Sequence, residues 1–448
     1  MSNSDSTTQN PHSHPATQPG CEKLHDGLSG NMPQLDGLDV CIHCGMCLPA
    51  CPTYLATGSE AESPRGRLYL MKKWIQDELE EAKVKPHLDQ CLACHSCETA
   101  CPSGVQYGRL LMETRASMAP HRKGLARNLK RFIFSRILPN DTLLRLSGFL
   151  LWFYQRSGIQ ALVRNLKILK PFPSLASQEA LLPKIPDNKT LKAGMQFGPV
   201  DGTPVTLLVG CVMDVFYNPI HWDTIAVLAA NGYRVSIPER TCCGALAHHA
   251  GEIDITETLG WQTVNALLAP KPDWVVINSA GCGSSIKEYP HLLKAENPKQ
   301  QKQLQELSSK IVDITELLAK KPLAPFKNKV PMKVAYHAAC HLYHVQKVQK
   351  QPTELLAQVP GIELVPLESA DMCCGSAGIY NLEHLGLSEE ILAEKMQHVR
   401  QACTVGQANV LTTGNPGCLL QLTHGVESAK LDMQVLHPIS ILAKGYKL

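Results

Sequence analysis

The chain has 448 residues, 44% of them hydrophobic and 19% charged, with a formal net charge of +3. That apolar content excludes global disorder, and the length gives room for about three domains. Its 18 cysteines fall in short runs along a long chain, which excludes a small disulfide-stapled secreted module and points to thiol ligands in a reducing, cytosol-facing compartment.

Residues 1–36 begin MSNSDSTTQNPHSHPATQPG, a polar stretch without a basic flank, an apolar core or a twin arginine. It reads as a disordered extension in which Cys21 is a free thiol. Cys41, Cys44, Cys47 and Cys51 then follow C-x2-C-x2-C-x3-C-P, and Cys91, Cys94, Cys97 and Cys101 repeat the pattern, the two runs ending at Pro52 and Pro102. Zinc sites usually separate their cysteine pairs by a dozen or more residues. The present spacing is the ligand run of two-cluster ferredoxins, in which three close thiolates hold one [4Fe-4S] cluster and the fourth completes the other. The expected ligand sets are Cys41, Cys44, Cys47 and Cys101 for one cluster, and Cys91, Cys94, Cys97 and Cys51 for the second. Between the runs, SPRGRLYLMKKWIQDELEEAK reads as a helix capped by Ser63, with Pro64 in its first turn, reaching about Lys83. Arg65 and Arg67 within it either offset cluster charge or pair with a partner. The two-cluster domain is expected over 37–110.

Residues 111–170 read as a basic helical segment. Between 121 and 170, Arg122, Lys123, Arg127, Lys130, Arg131, Arg136, Arg145, Arg156, Arg164, Lys167 and Lys170 stand against Asp141 alone, so the rest of the chain is net acidic. Such a segment is a solvated face, a dock for an acidic partner or a contact with an anionic membrane surface. No nucleic-acid motif accompanies the charge, and GFLLWFY at 148–154 is far too short to span a bilayer. Residues 171–204, rich in Pro and Gly, read as a linker.

From Val205 the pattern changes to short β-branched runs alternating with helical stretches. Strand-like runs lead to Cys211, to Cys242 and Cys243, and to Cys282; a second pass leads to Cys340, to Cys373 and Cys374, and to Cys418. The roughly constant offset of about 130 residues marks an internal duplication, with units at 205–325 and 326–448. Each unit is expected to be an α/β layer of mainly parallel strands with its cysteines just past the strand ends, where ligands gather and helix N-termini favour thiolates. Each constellation has enough sulfur for a conventional cluster or a zinc ion, and buried inert cysteines are the alternative. His337, His341 and His344 have the i, i+4 and i, i+3 separations that align on a helix, as metal ligands sometimes do, and His248 and His249 are adjacent; the reading favoured for these histidines is hydrogen-bond donors to ligand thiolates or ordinary surface residues. No G-x-G-x-x-G segment opens a helix, so no nicotinamide or flavin site and no catalytic residue is expected on this chain.

The order of parts, together with CPTYLATGSEAESPRGRLYLMK, CLACHSCETACPSGV and CCGSAGIY, resembles the glycolate oxidase iron–sulfur subunit family over roughly residues 37–440. The resemblance implies an α+β multidomain chain: a helical bacterial-ferredoxin-like two-[4Fe-4S] domain followed by a duplicated α/β cysteine-rich (CCG) domain. It also implies a non-catalytic subunit that relays electrons from FAD-binding glycolate oxidase subunits, which oxidise glycolate to glyoxylate, towards a quinone or other acceptor. It would be cytoplasmic, with peripheral contact at the cytoplasmic face of the bacterial inner membrane as a further expectation. The same relay in a lactate or anaerobic glycerol-3-phosphate dehydrogenase complex is the alternative. A heterodisulfide-reductase-like thiol/disulfide enzyme and a zinc-bearing scaffold are rivals of other classes. The fullest pattern of such cysteine-rich domains closes each unit with C-x-x-C; here Ser279 and Asn415 stand where the first cysteine of that pair would be.

Overall fold

The structure is a computed structural model that describes residues 35–446 other than 122–123 and 188. Cys21 and the N-terminal extension lie outside the described residues.

The first helical layer is organised around the segment between the two cysteine runs. Ser63 caps the helix Pro64–Ile75, its hydroxyl accepting from the Gly66 N–H at 3.0 Å, and Pro64 takes the first helical position, where no N–H is needed. Gly66 is required by a close approach: a Cβ there would meet the Glu60 carbonyl oxygen at 1.9 Å. The helix stops at Ile75, short of Lys83. Asp77 adopts a left-handed φ of 58°, the Glu78 and Leu79 N–H groups fold back onto the Lys73 carbonyl, and a separate helix begins at Glu81. Leu68, Met71, Val84, Leu88, Leu110 and Leu111 bury a small core against which Cys41, Cys47, Cys91 and Cys101 pack.

The basic segment is helical as expected, with α-helices at Tyr107–Met118, Leu125–Phe132, Asp141–Arg156 and Ile159–Asn165. The stretch expected as a linker carries a further helix, Pro173–Ala180, whose proline sits harmlessly in the first turn. Much of the positive charge is consumed inside the chain. Arg127 and Arg131 share the buried Glu252, Arg131 also meets Asp254, Lys130 pairs with Glu383, and Arg145 reaches the buried Asp214. Arg156 and Arg164 pair locally with Asp187 and Glu179. What the segment offers outward is apolar: Leu125, Leu129, Phe132, Phe149, Leu150, Phe153, Leu162 and Leu166 are each at least half exposed. No helix among the described residues is long and apolar enough to cross a membrane.

The C-terminal half contains two sheets of nine strands: β1 (Gln196–Phe197), β2 (Thr203–Leu207), β3 (Tyr233–Ser236), β4 (Trp274–Ile277), β5 (Ile311–Asp313), β6 (Met332–Tyr336), β7 (Ile362–Val365), β8 (Val410–Thr412) and β9 (Gln434–Leu436). The first sheet runs β1-β3-β2-β4-β5 and the second β7-β6-β8-β9. Apart from antiparallel β1 on one edge, every pairing is parallel, and the order β3-β2-β4-β5 repeats as β7-β6-β8-β9. The duplication read from the cysteines is therefore a duplication of topology. One apolar core serves both sheets: Val205, Leu207, Val276 and Val312 share it with Val334, Val410 and the C-terminal Ile439, Ile441 and Leu442.

The end of β5 carries a pH-sensitive cap. Asp313 is 2% exposed and accepts from the Thr315 N–H at 2.8 Å and the Thr315 hydroxyl at 2.5 Å. Burial raises its carboxyl to about 6 against the opposing pull of those donors. Because the folded chain holds this proton more tightly than the unfolded one, the contribution to stability is fully present below about pH 4 and is lost as pH rises through 6. Asp313→Asn keeps the acceptor and removes the charge. We expect it to gain about 3 kcal/mol relative to the parent at pH 7.5 and little at pH 4, read from the difference in Tm between the two pH values.

Candidate metal centres

The two ligand runs adopt the same loop. His43 and Gly45 in the first, and Ala93 and His95 in the second, take left-handed φ values of 55°, 83°, 50° and 61° at matching positions. Three of these four are not glycine, so the loop is held in a disfavoured conformation by what surrounds it. After each run a proline follows the fourth cysteine, and Pro52 starts the helix Pro52–Thr57 with Cys51 as its preceding residue.

Cys51, although it belongs to the first run, faces the cavity of the second. Cys51, Cys91, Cys94 and Cys97 line one cavity together with Thr53, Arg67, Leu92 and Tyr107. Arg67 is completely buried there. Its guanidinium donates to Thr53 Oγ1 at 2.9 Å, to the Glu62 carboxylate at 2.7 Å and to the His87 carbonyl at 2.7 Å. Burial pushes the Cys91 thiol up, but Arg67 and Arg115 nearby, with hydrogen bonds from the Tyr107 hydroxyl at 3.5 Å and the Ala93 N–H at 3.4 Å, outweigh it and leave the thiol below its ordinary value. Cys94 and Cys97 lie well above theirs, through burial and the mutual repulsion of neighbouring sulfurs. Several buried sulfurs facing one space cannot all ionise without a counter-charge, and this is the strain a bound cationic iron–sulfur core relieves. The donor set fits such a group.

Of the other expected set, Cys41, Cys47 and Cys101 pack on the same helical core while Cys44 is exposed. Burial raises the Cys47 thiol, the Arg65 backbone N–H lowers it, and Cys41 and Cys51 add to the rise. Arg65 holds this loop by donating to the His43 carbonyl at 3.1 Å while pairing with Glu60 at 2.6 Å. Arg65 and Arg67 thus serve different loops, and each has its carboxylate partner within the chain.

The duplicated units gather their cysteines at the C-terminal edges of the strands. In the first, Cys211 and Cys242 lie 3.5 Å apart, sulfur to sulfur, and Cys243 contacts Cys282. The partner thiol Cys242, the Val212 N–H at a helix start and Arg240 hold Cys211 below its ordinary value despite burial. In the second, Cys340 contacts Cys373, Cys373 contacts Cys374, and Cys374 contacts Cys418. Asn415, standing where the missing closing cysteine would be, donates to Cys418 Sγ at 3.6 Å and accepts from the Gly281 N–H at 3.1 Å, tying one unit to the other. Lys395, fully buried and donating to the Ser369 carbonyl, lies beside Cys374, Cys373 and Cys418 as a local counter-charge.

The second unit abuts the cavity of the second run. Cys94 shares a buried apolar cluster with Leu92, Cys373, Tyr380 and Ile391, with Cys340 packed against it. Tyr380 donates to the Gln90 carbonyl at 3.0 Å, and His344 meets Thr99 at 2.9 Å. Arg115, which stands in no motif, donates to the Leu88 and Cys91 carbonyls at 2.6 and 2.8 Å and to the His249 carbonyl at 3.2 Å, bolting the second loop to the first unit. The expected helical alignment holds only for His341 and His344, which share the helical turn His341–Val345; His337 precedes that turn and is buried. His341 instead meets His95 and His249 edge to face or tilted, with ring centroids 5.8 and 5.3 Å apart, where the helical domain and both units converge.

Similarity to known proteins extends over most of the chain. Residues 37–105 match the 4Fe-4S dicluster domain, 125–182 the linker region of the glycolate oxidase iron-sulfur subunit, and 205–287 and 334–423 the cysteine-rich CCG domain. The chain is 36% identical to a probable glycolate oxidase iron-sulfur subunit of Bacillus subtilis over 422 residues, covering 91% of this chain and 94% of that one. It is 30% identical to the glycolate oxidase iron-sulfur subunit of Escherichia coli over 390 residues, covering 86% and 89%. Lactate utilization protein A of Geobacillus thermodenitrificans is 29% identical over 240 residues, which covers 98% of that protein and 53% of this chain.

Proposed function

The chain belongs to the glycolate oxidase iron–sulfur subunit family, and from that premise we propose that it is the electron-relay subunit of a complex oxidising glycolate to glyoxylate. The observation that carries this reading is the cavity formed by Cys51, Cys91, Cys94 and Cys97, with three buried neighbours, Arg67, Tyr107 and Leu92, set around it. We assign Cys41, Cys44, Cys47 and Cys101 to one [4Fe-4S] cluster and Cys91, Cys94, Cys97 and Cys51 to the second. When bound, these clusters exchange single electrons without bond making at the substrate.

The chain's own residues then have distinct tasks. Tyr107 and the Ala93 N–H donate to Cys91 and draw negative charge off its sulfur, while Arg67 and Arg115 supply compensating positive charge. Leu92, Ile391 and Tyr380 keep water from the space between Cys94 and Cys373, which lowers the reorganisation that accompanies each charge movement. FAD-binding partner subunits supply the electrons and a quinone takes them away. The exposed apolar face around Phe149 and Phe153 docks those subunits, and peripheral contact with the cytoplasmic membrane face draws on the same side chains, because the basic residues beside them are largely paired internally. Thiol–disulfide catalysis fits less well: Ser279 and Asn415 replace the closing cysteines, and Asn415 is engaged in holding the units together.

The test is to co-purify the complex anaerobically and assay reduction of a soluble quinone with glycolate, lactate and glycerol 3-phosphate. We expect turnover with glycolate at least tenfold above the other two, lost when this chain is omitted. Turnover on lactate or glycerol 3-phosphate with none on glycolate would move the chain to the alternative complex.

A further inference from the structure

The two duplicated units are not equivalent, and the difference is a histidine. His337 lies three residues before Cys340, and the matching position before Cys211 is Leu208, a buried aliphatic residue. His337 is 0% exposed, and a ring nitrogen of it, Cys374 Sγ and Cys418 Sγ all lie within 4.8 Å of one another. Neither ring nitrogen has a hydrogen-bond partner among the described residues. An imidazole sealed in the core with both nitrogens unused forfeits the hydration it would have outside, at a cost to stability. A ligand on one nitrogen repays it. The Ala370 carbonyl, which accepts from the Ala338 N–H at 3.0 Å, lies beside the ring and is the acceptor at hand for the nitrogen that a ligand leaves free, the arrangement that ligating histidines almost always adopt.

We propose that the second cysteine-rich unit holds an iron-containing centre of its own in which His337 is a nitrogen ligand beside Cys374 and Cys418, with Cys373 and Cys340 completing the donor set. Buried thiolates and imidazole together suit iron or zinc. Iron is the member of that pair that can change oxidation state, and the site packs directly against Cys94 of the ferredoxin-type cavity. The first unit, with Leu208 in the equivalent place, offers sulfur alone. This inference rests on reading the chain as an iron–sulfur relay.

The decisive experiment labels the histidines of the anaerobically purified holoprotein with nitrogen-15 and records pulsed EPR after dithionite reduction, alongside iron and zinc analysis. A paramagnetic centre with direct nitrogen-15 coupling is expected, distinct from the ferredoxin-type signals. That coupling should vanish in His337→Ala and in His337→Gln and persist in His341→Ala, the nearest competing imidazole, whose nitrogen lies 3.4 Å from Cys340 Sγ. Ferredoxin-type signals without nitrogen coupling, coupling lost only in His341→Ala, or stoichiometric zinc in place of the additional iron would each overturn the assignment while leaving the relay intact. Absence of all iron signals in the unmutated protein would instead sink the relay reading beneath it. Since the labelled parent protein is measured first, a variant that fails to fold does not decide the matter.

Discussion

Arg67→Met will lower the stability of the holoprotein by about 3–5 kcal/mol, the cost of stranding one member of a buried ion pair. The side chain is enclosed, with 1% of its surface accessible, and its partner Glu62 has 7%. Removing the guanidinium leaves the Glu62 carboxylate leaning on His87 and takes from Thr53 Oγ1 the hydrogen bond that Arg67 donates. It also removes the positive charge that offsets thiolate charge at Cys91 and Cys51. Two readouts are therefore expected together: a fall in thermal unfolding temperature, and a more negative midpoint potential for the cluster in that cavity. Arg65→Met, two residues away on the opposite side of the helix, exchanges an exposed pair with Glu60 and should leave the melting temperature nearly unchanged. Equal effects from the two substitutions would show that Arg67 is not the internal counter-charge its burial suggests.

Cys51→Ser is the second large effect, because it tests the crossing of ligands between the runs. Cys51 is contiguous with Cys41, Cys44 and Cys47 in sequence yet lines the cavity of Cys91, Cys94 and Cys97. The variant should lose about four irons per chain and the same EPR signal that Cys97→Ser loses, while Cys47→Ser abolishes the other signal. If Cys51→Ser and Cys47→Ser instead removed one common signal, each run would be holding its own cluster, and the crossed assignment would fail. Anaerobic iron and sulfide analysis gives the count, and EPR of dithionite-reduced samples separates the two cases.

Much of this was readable from local pattern. The cysteine intervals with their closing prolines, the Ser63–Pro64 helix start and the repeat that became two matching sheets are all encoded within a few residues of one another or by simple periodicity. What escaped the sequence depends on pairs brought together from far apart. The basic stretch near Arg127 and Arg131 looked like an open charged face because its partners, Glu252 and Asp254, lie more than a hundred residues on. Arg115 carried no motif, since its acceptors are main-chain carbonyls. The turn at Asp77 was hidden because lysine, glutamate and leucine around it all favour helix, and only a left-handed φ in the fold breaks the run. The histidines near Cys340 followed helical spacing, but the helical turn His341–Val345 takes in only His341 and His344, and His337 sits directly after β6, outside it. His337 could have been flagged by comparing the repeats position by position, since its counterpart is Leu208.

The core shared by the two sheets has a consequence for where the chain can be divided. Val205, Val276 and Val312 of one repeat interlock with Val334, Val410 and Ile439 of the other, so a break between the repeats would leave two halves with raw apolar faces and neither soluble by itself. The pair is therefore one folding unit, which a single repeat is not. Within that unit the two repeats differ in chemistry, Leu208 in one and His337 in the other, while their packing holds them to a single fate.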